Sequence, residues 1–127
     1  MRKEFKRFLI MLLTFMIGVV GAEYHRNYQF RRDQMMCQES LLRRDLFRLR
    51  RSIDEYAVDK GELPQSLDDL VKAEYFQEIP FDPITHRRAW KIVVGTDPNS
   101  TRGNQGIIDV HSTSSAISSQ GIAYEDW

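Results

Sequence analysis

The 127-residue chain predicts an α+β fold: a long N-terminal helix laid on a small helix and a short antiparallel sheet. Three features point there. Residues 24–59 contain neither glycine nor proline, and Leu42, Leu46, Leu49, Ile53 and Tyr56 recur at steps of four, three, four and three. A short amphipathic stretch follows Ser66. Two runs rich in β-branched residues, 89–94 and 107–111, read as strands.

The first seven residues hold Arg2, Lys3, Lys6 and Arg7 against Glu4, and 8–22 then carries no charged residue. Fifteen helical residues reach roughly 22 Å, short of a hydrocarbon core about 30 Å thick. Two readings of 8–22 stay open on hydropathy. One is a signal-peptide core with the small residues Gly21 and Ala22 before Glu23. The other is a retained anchor that thins the bilayer and sets Glu23 to Arg26 in the far headgroups. A buried core helix fits worst, because no face of the run is polar.

The stem, 23–60, carries the apolar stripe, with Met35 two turns upstream on the same side. Its opposite surface is dominated by Arg43, Arg44, Arg48, Arg50 and Arg51. These arginines read either as a face for anionic lipid or an acidic partner subunit, or as a plain solvated surface. One turn apart, Arg50 is expected to pair with Asp54 and Arg51 with Glu55. Gly61 suits a left-handed helix end, and Pro64 blocks continuation. So narrow a stripe wants one neighbour, which 61–127 must supply.

In that head, Ser66 is the expected N-cap of a helix with Asp68 and Asp69 in its first turn and Leu67, Leu70 and Val71 on its apolar side. Ile79-Pro80-Phe81-Asp82-Pro83 is a proline-punctuated turn. Residues 95–106 read as a turn-rich loop between the strands, and small polar residues dominate 112–121 before Tyr124 and Trp127.

Composition narrows the function classes. Eighteen basic residues balance eighteen acidic ones, which argues against a dedicated nucleic-acid binder. The balance is uneven along the chain: residues 1–60 hold 13 basic against 8 acidic side chains, and 61–127 hold 5 against 10. The single cysteine, Cys37, excludes an internal disulfide and a multi-cysteine zinc site. His25, His86 and His111 lack ligand spacing. Asp109, His111 and Ser112 invite a hydrolase reading, but on a strand Ser112 faces away from the other two. Their plain reading is strand residues with polar side chains outward. Asp97, Asn99, Ser100 and Asn104 in a loop, and Asp109, Glu125 and Asp126 elsewhere, offer oxygen ligands for calcium without the spacing of an EF-hand loop. No catalytic constellation emerges.

From residue 41 to 90 the order of residues becomes specific. Asp59-Lys60-Gly61, Pro64, Ser66-Leu67-Asp68-Asp69-Leu70, Ile79-Pro80, Asp82-Pro83, Thr85 and Trp90 are followed by Asp109-Val110-His111-Ser112, Gly121, Tyr124 and Trp127. This run, over about 35–127, resembles the major pseudopilins of bacterial type II secretion, within the type IV pilin family. The resemblance implies a type IV pilin-like fold and a non-enzymatic role. It implies a cytoplasmic leader (1–7), a single retained inner-membrane span (8–22), a periplasmic stem (23–60) and a periplasmic head (61–127). Implied partners are the inner membrane, other pseudopilins or further copies of the chain, and the secretion-system assembly platform. The stem residues Met35, Leu42, Leu46, Leu49, Ile53 and Tyr56 would form the assembly helix. Gly61, Pro64, Pro80, Asp82, Pro83, Trp90, Asp109, His111 and Trp127 form the head signature. The resemblance favours anchor over signal peptide.

Two positions depart from the family pattern. Where the family has a glycine before its cleavage site this chain has Lys6, and where it has a glutamate in the mature helix this chain has Met11. The stretch matching the family's calcium loop, 112–121, contains no acid. That absence counts against calcium, the one cofactor in view, and leaves Asp109 the only acid near the matching place.

Overall fold

The computed structural model describes residues 1–97 and 103–127. It contains helix α1 (Arg2–Lys60), helix α2 (Leu67–Lys72), strands β1 (Trp90–Thr96) and β2 (Gln105–Ser112), and a 3-10 turn at Tyr124–Asp126. The chain divides into two compact units, residues 1–36 and 37–127.

The first unit is helix alone. Its most apolar 18 residues have a mean hydropathy of 1.8 and none of them is buried. Phe8, Ile10, Leu13, Phe15, Ile17 and Val20 all point to the outside. By length and composition this helix is a candidate membrane span. Ion pairs join Glu4 to Arg7 and Glu23 to Arg26 across single turns on either side of the uncharged run. Met35, on the expected stripe, lies in this unit and is half-buried.

The second unit is α+β. Leu42, Leu46, Leu49 and Ile53 are each at most 2% exposed, and they pack with Leu63, Leu70, Phe76, Ile79, Trp90, Ile107, Val110 and Tyr124 in one core. The step of three and four therefore marks the buried side of α1, as the sequence requires. Tyr56 is half-buried, its ring centroid 6.2 Å from that of Tyr75.

Helix α1 ends as expected. Gly61 takes a φ of 70°, and its N–H donates to the Ala57 carbonyl at 2.9 Å. Pro64 is buried, and its carbonyl accepts the Ile107 N–H at 2.8 Å, tying the linker to β2. Ahead of α2, the Asp69 carboxylate accepts the Ser66 and Gln65 N–H groups, both at 3.0 Å. The same helix closes without a glycine. Glu74 adopts a φ of 66° while its N–H reaches Val71 and that of Tyr75 reaches Leu70, a Schellman closure.

The two strands are antiparallel, with Trp90 opposite Ser112 and Thr96 opposite Gln105. They extend past the expected ends: Gly95, Thr96, Gln105 and Gly106 are ladder residues, not loop. The register shifts at Val93/Val94, leaving Ile108 between the paired residues Ile107 and Asp109. Gly106 lies where the sheet meets the linker. A Cβ there would stand 2.4 Å from the Leu63 Cβ and 2.9 Å from the Pro64 carbonyl oxygen.

Gly106→Ala must push this linker off β2 and strain the Ile107–Pro64 bond. It is expected to destabilise the unit by about 1–3 kcal/mol. A urea titration followed by tryptophan fluorescence reads this as a lower midpoint.

Candidate functional site

Three polar clusters hold the head of the second unit together, and α1 contributes to two of them. The first centres on Arg50. Its Nε donates to the Asp109 carboxylate at 2.6 Å, and its Nη2 donates to the Val110 carbonyl at 2.9 Å and the Trp127 carbonyl at 2.6 Å. His111 faces the same group, Nδ1 at 2.5 Å from the Trp127 carbonyl and Nε2 at 3.3 Å from Asp109. One guanidinium thus fastens the stem to β2 and to the segment beyond it. Its planar fork meets three acceptors that a lysine could not hold together.

This arrangement corrects the expected Arg50–Asp54 pair: Arg50 turns toward β2, because the acceptors there lie partly out of water, where a charged hydrogen bond counts for more. The Arg51–Glu55 pair forms at 2.7 Å. The remaining arginines also have neighbours. Arg43 lies over the Trp127 ring at 4.7 Å, Arg48 over Phe76 at 5.1 Å, and Arg44 pairs with Asp45 at 3.0 Å. Arg43, Arg44, Arg48 and Arg51 remain exposed to solvent, as a solvated face would have them, and Arg50 is half-buried.

The second cluster surrounds Glu39, which is 6% exposed. It accepts the Ser119 N–H and the Ser119 hydroxyl, each at 2.6 Å, and the Tyr124 hydroxyl at 2.9 Å. Glu39 is not among the residues expected on the stripe, although it sits three positions before Leu42, on the stripe itself. A lone carboxylate continuing an apolar stripe is the signal that could have found it. Burial pulls the Glu39 carboxyl upward, but the Ser119 and Tyr124 hydrogen bonds and the charge of Arg43 outweigh it and leave it below its ordinary value of 4.5. Burial, with the hydrogen bond and charge of Glu39, pushes the Tyr124 hydroxyl up to about 12.

The third cluster is in the core. Asp82 is wholly buried, accepting the Ile84 N–H at 2.8 Å and the Ser112 hydroxyl at 2.5 Å. Its backbone pairs with Arg87, closing a turn over 82–87 that lies beyond the expected 79–83 one, and the Pro80 carbonyl accepts the Trp90 indole N–H at 3.0 Å. Pro83, half-buried, is the second residue of this turn. The head signature is thus a packing set. Gly61 and Pro64 end the stem, Pro80, Asp82, Pro83 and Trp90 build the turn under β1, and Asp109, His111 and Trp127 meet Arg50.

These contacts revise the plain reading of Asp109, His111 and Ser112. Asp109 and His111 are half-buried against the stem, and Ser112 is wholly buried and points at Asp82. As the strand alternation requires, His111 and Ser112 stand on opposite faces. Among the described residues no group of three or more His, Cys, Asp or Glu side chains is placed to hold a metal ion. The Asp109 carboxylate, the calcium candidate, is engaged by Arg50 and His111. Asn99 and Ser100 lie outside the described residues. The 112–121 segment is held without acids of its own: the Ser118 hydroxyl accepts the Gln120 and Ile122 N–H groups, and Glu39 accepts Ser119.

Comparison with family models, with curated proteins and with solved structures gives no match to this chain.

Glu39→Gln keeps the size of the side chain but replaces an acceptor oxygen by a donor facing donors. It is expected to cost about 1–3 kcal/mol at neutral pH. A lowered carboxyl pKa stabilises the fold above its ordinary value and loses that contribution as pH falls through the folded one. A raised phenol does the reverse, contributing in full below pH 10 and losing it as pH rises towards about 12. The gap between wild type and Glu39→Gln, measured by urea titration, should therefore be widest on the plateau between. It should shrink below pH 4.5 and again above pH 10.

Proposed function

We propose that the chain is a pseudopilin-like inner-membrane protein of a type II secretion or related type IV pilus-like system. It works through interfaces and not by catalysis. Its residues 1–7 stay in the cytoplasm, 8–22 span the inner membrane, and the stem and head lie in the periplasm. It assembles by helix packing into or onto a pseudopilus, with other pseudopilins or further copies as neighbours and the assembly platform at its base.

The observation that carries this reading is helix α1. One helix supplies both an uncharged, outward-facing apolar run and the stripe on which a small α+β head is built. The order of motifs from Gly61 to Trp127 supports the same reading, because each falls at a structural joint of that head. Within a bilayer, packing of such helices against one another is van der Waals contact, and Gly18 and Gly21, each with open space at the Cβ position, permit close approach.

A second reading is favoured by Lys6 and Met11, which stand where the family's processing glycine and assembly glutamate belong. In it the chain is an anchored or exported periplasmic module that has kept the pseudopilin head but does not enter a filament.

The native protein's N-terminal mass and fractionation separate these. The membrane-anchored reading expects the 8–22 peptide to be retained and the protein to be released only by detergent. A soluble periplasmic form starting at Glu23 would contradict it. Deletion of the gene is expected to block secretion of folded exoproteins, and unaffected secretion would leave the module reading.

A further inference from the structure

Helix α1 is continuous from Arg2, so Arg2, Lys3, Lys6 and Arg7 hold helical positions right up to the apolar run that begins at Phe8. At about 100° per residue these four cations fall within an arc of about 140° and about 8 Å of helix axis. All four are exposed. Glu4 lies beside the arc and pairs with Arg7 at 3.3 Å, but the two side chains are 75% and 78% exposed, and water screens such a pair heavily. Met1, Phe5 and Phe8 follow at steps of four and three on the opposite side of the helix. The Met1 carbonyl accepts the Phe5 N–H at 3.1 Å, which holds Met1 in this row. Met1, Arg2, Glu4, Phe5 and Lys6 line one open groove, where apolar and cationic walls meet.

We propose that this leader binds anionic phospholipid in the leaflet where it sits. The negative headgroup meets Arg2, Lys3, Lys6 and Arg7, and the acyl chains lie along Met1, Phe5 and Phe8. The proposal rests on the membrane-spanning reading of 8–22 and names the lipid partner of that anchor. Its occupant follows from continuity and charge. The same helix face of cations runs directly into a segment of which nothing is buried within the protein. Because that run reaches only roughly 22 Å across a core about 30 Å thick, its flanks are drawn to the depth of the phosphates. There, long basic side chains keep their stems among the chains and their charges among the headgroups. An anionic surface adds to the attraction for each such charge. The downstream flank is different. Arg26 is taken up by Glu23 across one turn, and Arg31 and Arg32 begin about 14 Å along the axis beyond Ala22. Selection among lipids therefore belongs to the leader.

Spin-labelled phosphatidylglycerol and phosphatidylcholine test this on the full chain reconstituted in phosphatidylcholine vesicles. The fraction of each label immobilised by the protein gives their relative association constant. Wild type is expected to select phosphatidylglycerol by at least about threefold, and the selection should fall as salt is raised. The combined variant Arg2→Gln, Lys3→Gln, Lys6→Gln, Arg7→Gln is expected to lose the selection while still immobilising phosphatidylcholine, which shows that it remains inserted. The combined variant Arg26→Gln, Arg31→Gln, Arg32→Gln should select as wild type does. Equal immobilisation of the two lipids by wild type, or selection that survives in the leader variant, would overturn the inference and leave the anchor in place. Immobilisation of neither lipid would overturn the inference and the membrane-spanning reading together.

Discussion

The six-residue helix α2 and the two-stranded ribbon β1–β2 are too small to exclude water from one another. A single ribbon is at best marginal in water. What lets residues 61–127 adopt one structure is the burial of Leu42, Leu46, Leu49 and Ile53 beneath them. Every other feature of the head follows from that dependence. The linker must turn back at Gly61 to reach the stripe, and Pro64 must meet β2 once it has turned. Residues 112–127 must return along α1 to cover its upstream end.

Apolar burial is not directional, and a smooth stripe would allow the covering segments to slide. The polar clusters supply direction. Glu39 fixes Ser119 and Tyr124 at the upstream end, and Arg50 fixes Asp109, Val110 and Trp127 in the middle. Each is worth a modest amount when made and considerably more when broken, since partners on the other side are left without an acceptor or a counter-charge. Asp82 plays the same part between the 82–87 turn and Ser112. Of the stem arginines Arg50 belongs to this fastening, while Arg43, Arg44, Arg48 and Arg51 remain exposed.

Much of this was legible in the sequence, and the rest was hidden for definable reasons. The stripe, Gly61, the Ser66 helix start and the antiparallel pair are short-range patterns, and short-range rules read them. The Arg50 and Glu39 bonds join residues 59 to 85 positions apart, and no local spacing reports such a contact. Arg50 has an acid one turn away in Asp54, so the helical pairing rule points to the wrong partner. Strand extents were missed because Gly95, Gly106 and Gln105 carry turn-like composition while the ladder runs through them. Glu74 holds a left-handed helix end that composition assigns to glycine.

Residues 61–127 fold only on the stem. The most direct measurement compares thermal unfolding, by near-ultraviolet circular dichroism, of a fragment spanning residues 37–127 with one spanning 61–127. A cooperative transition with an ordered aromatic spectrum is expected for the first and neither for the second. A cooperative transition in the shorter fragment would contradict it.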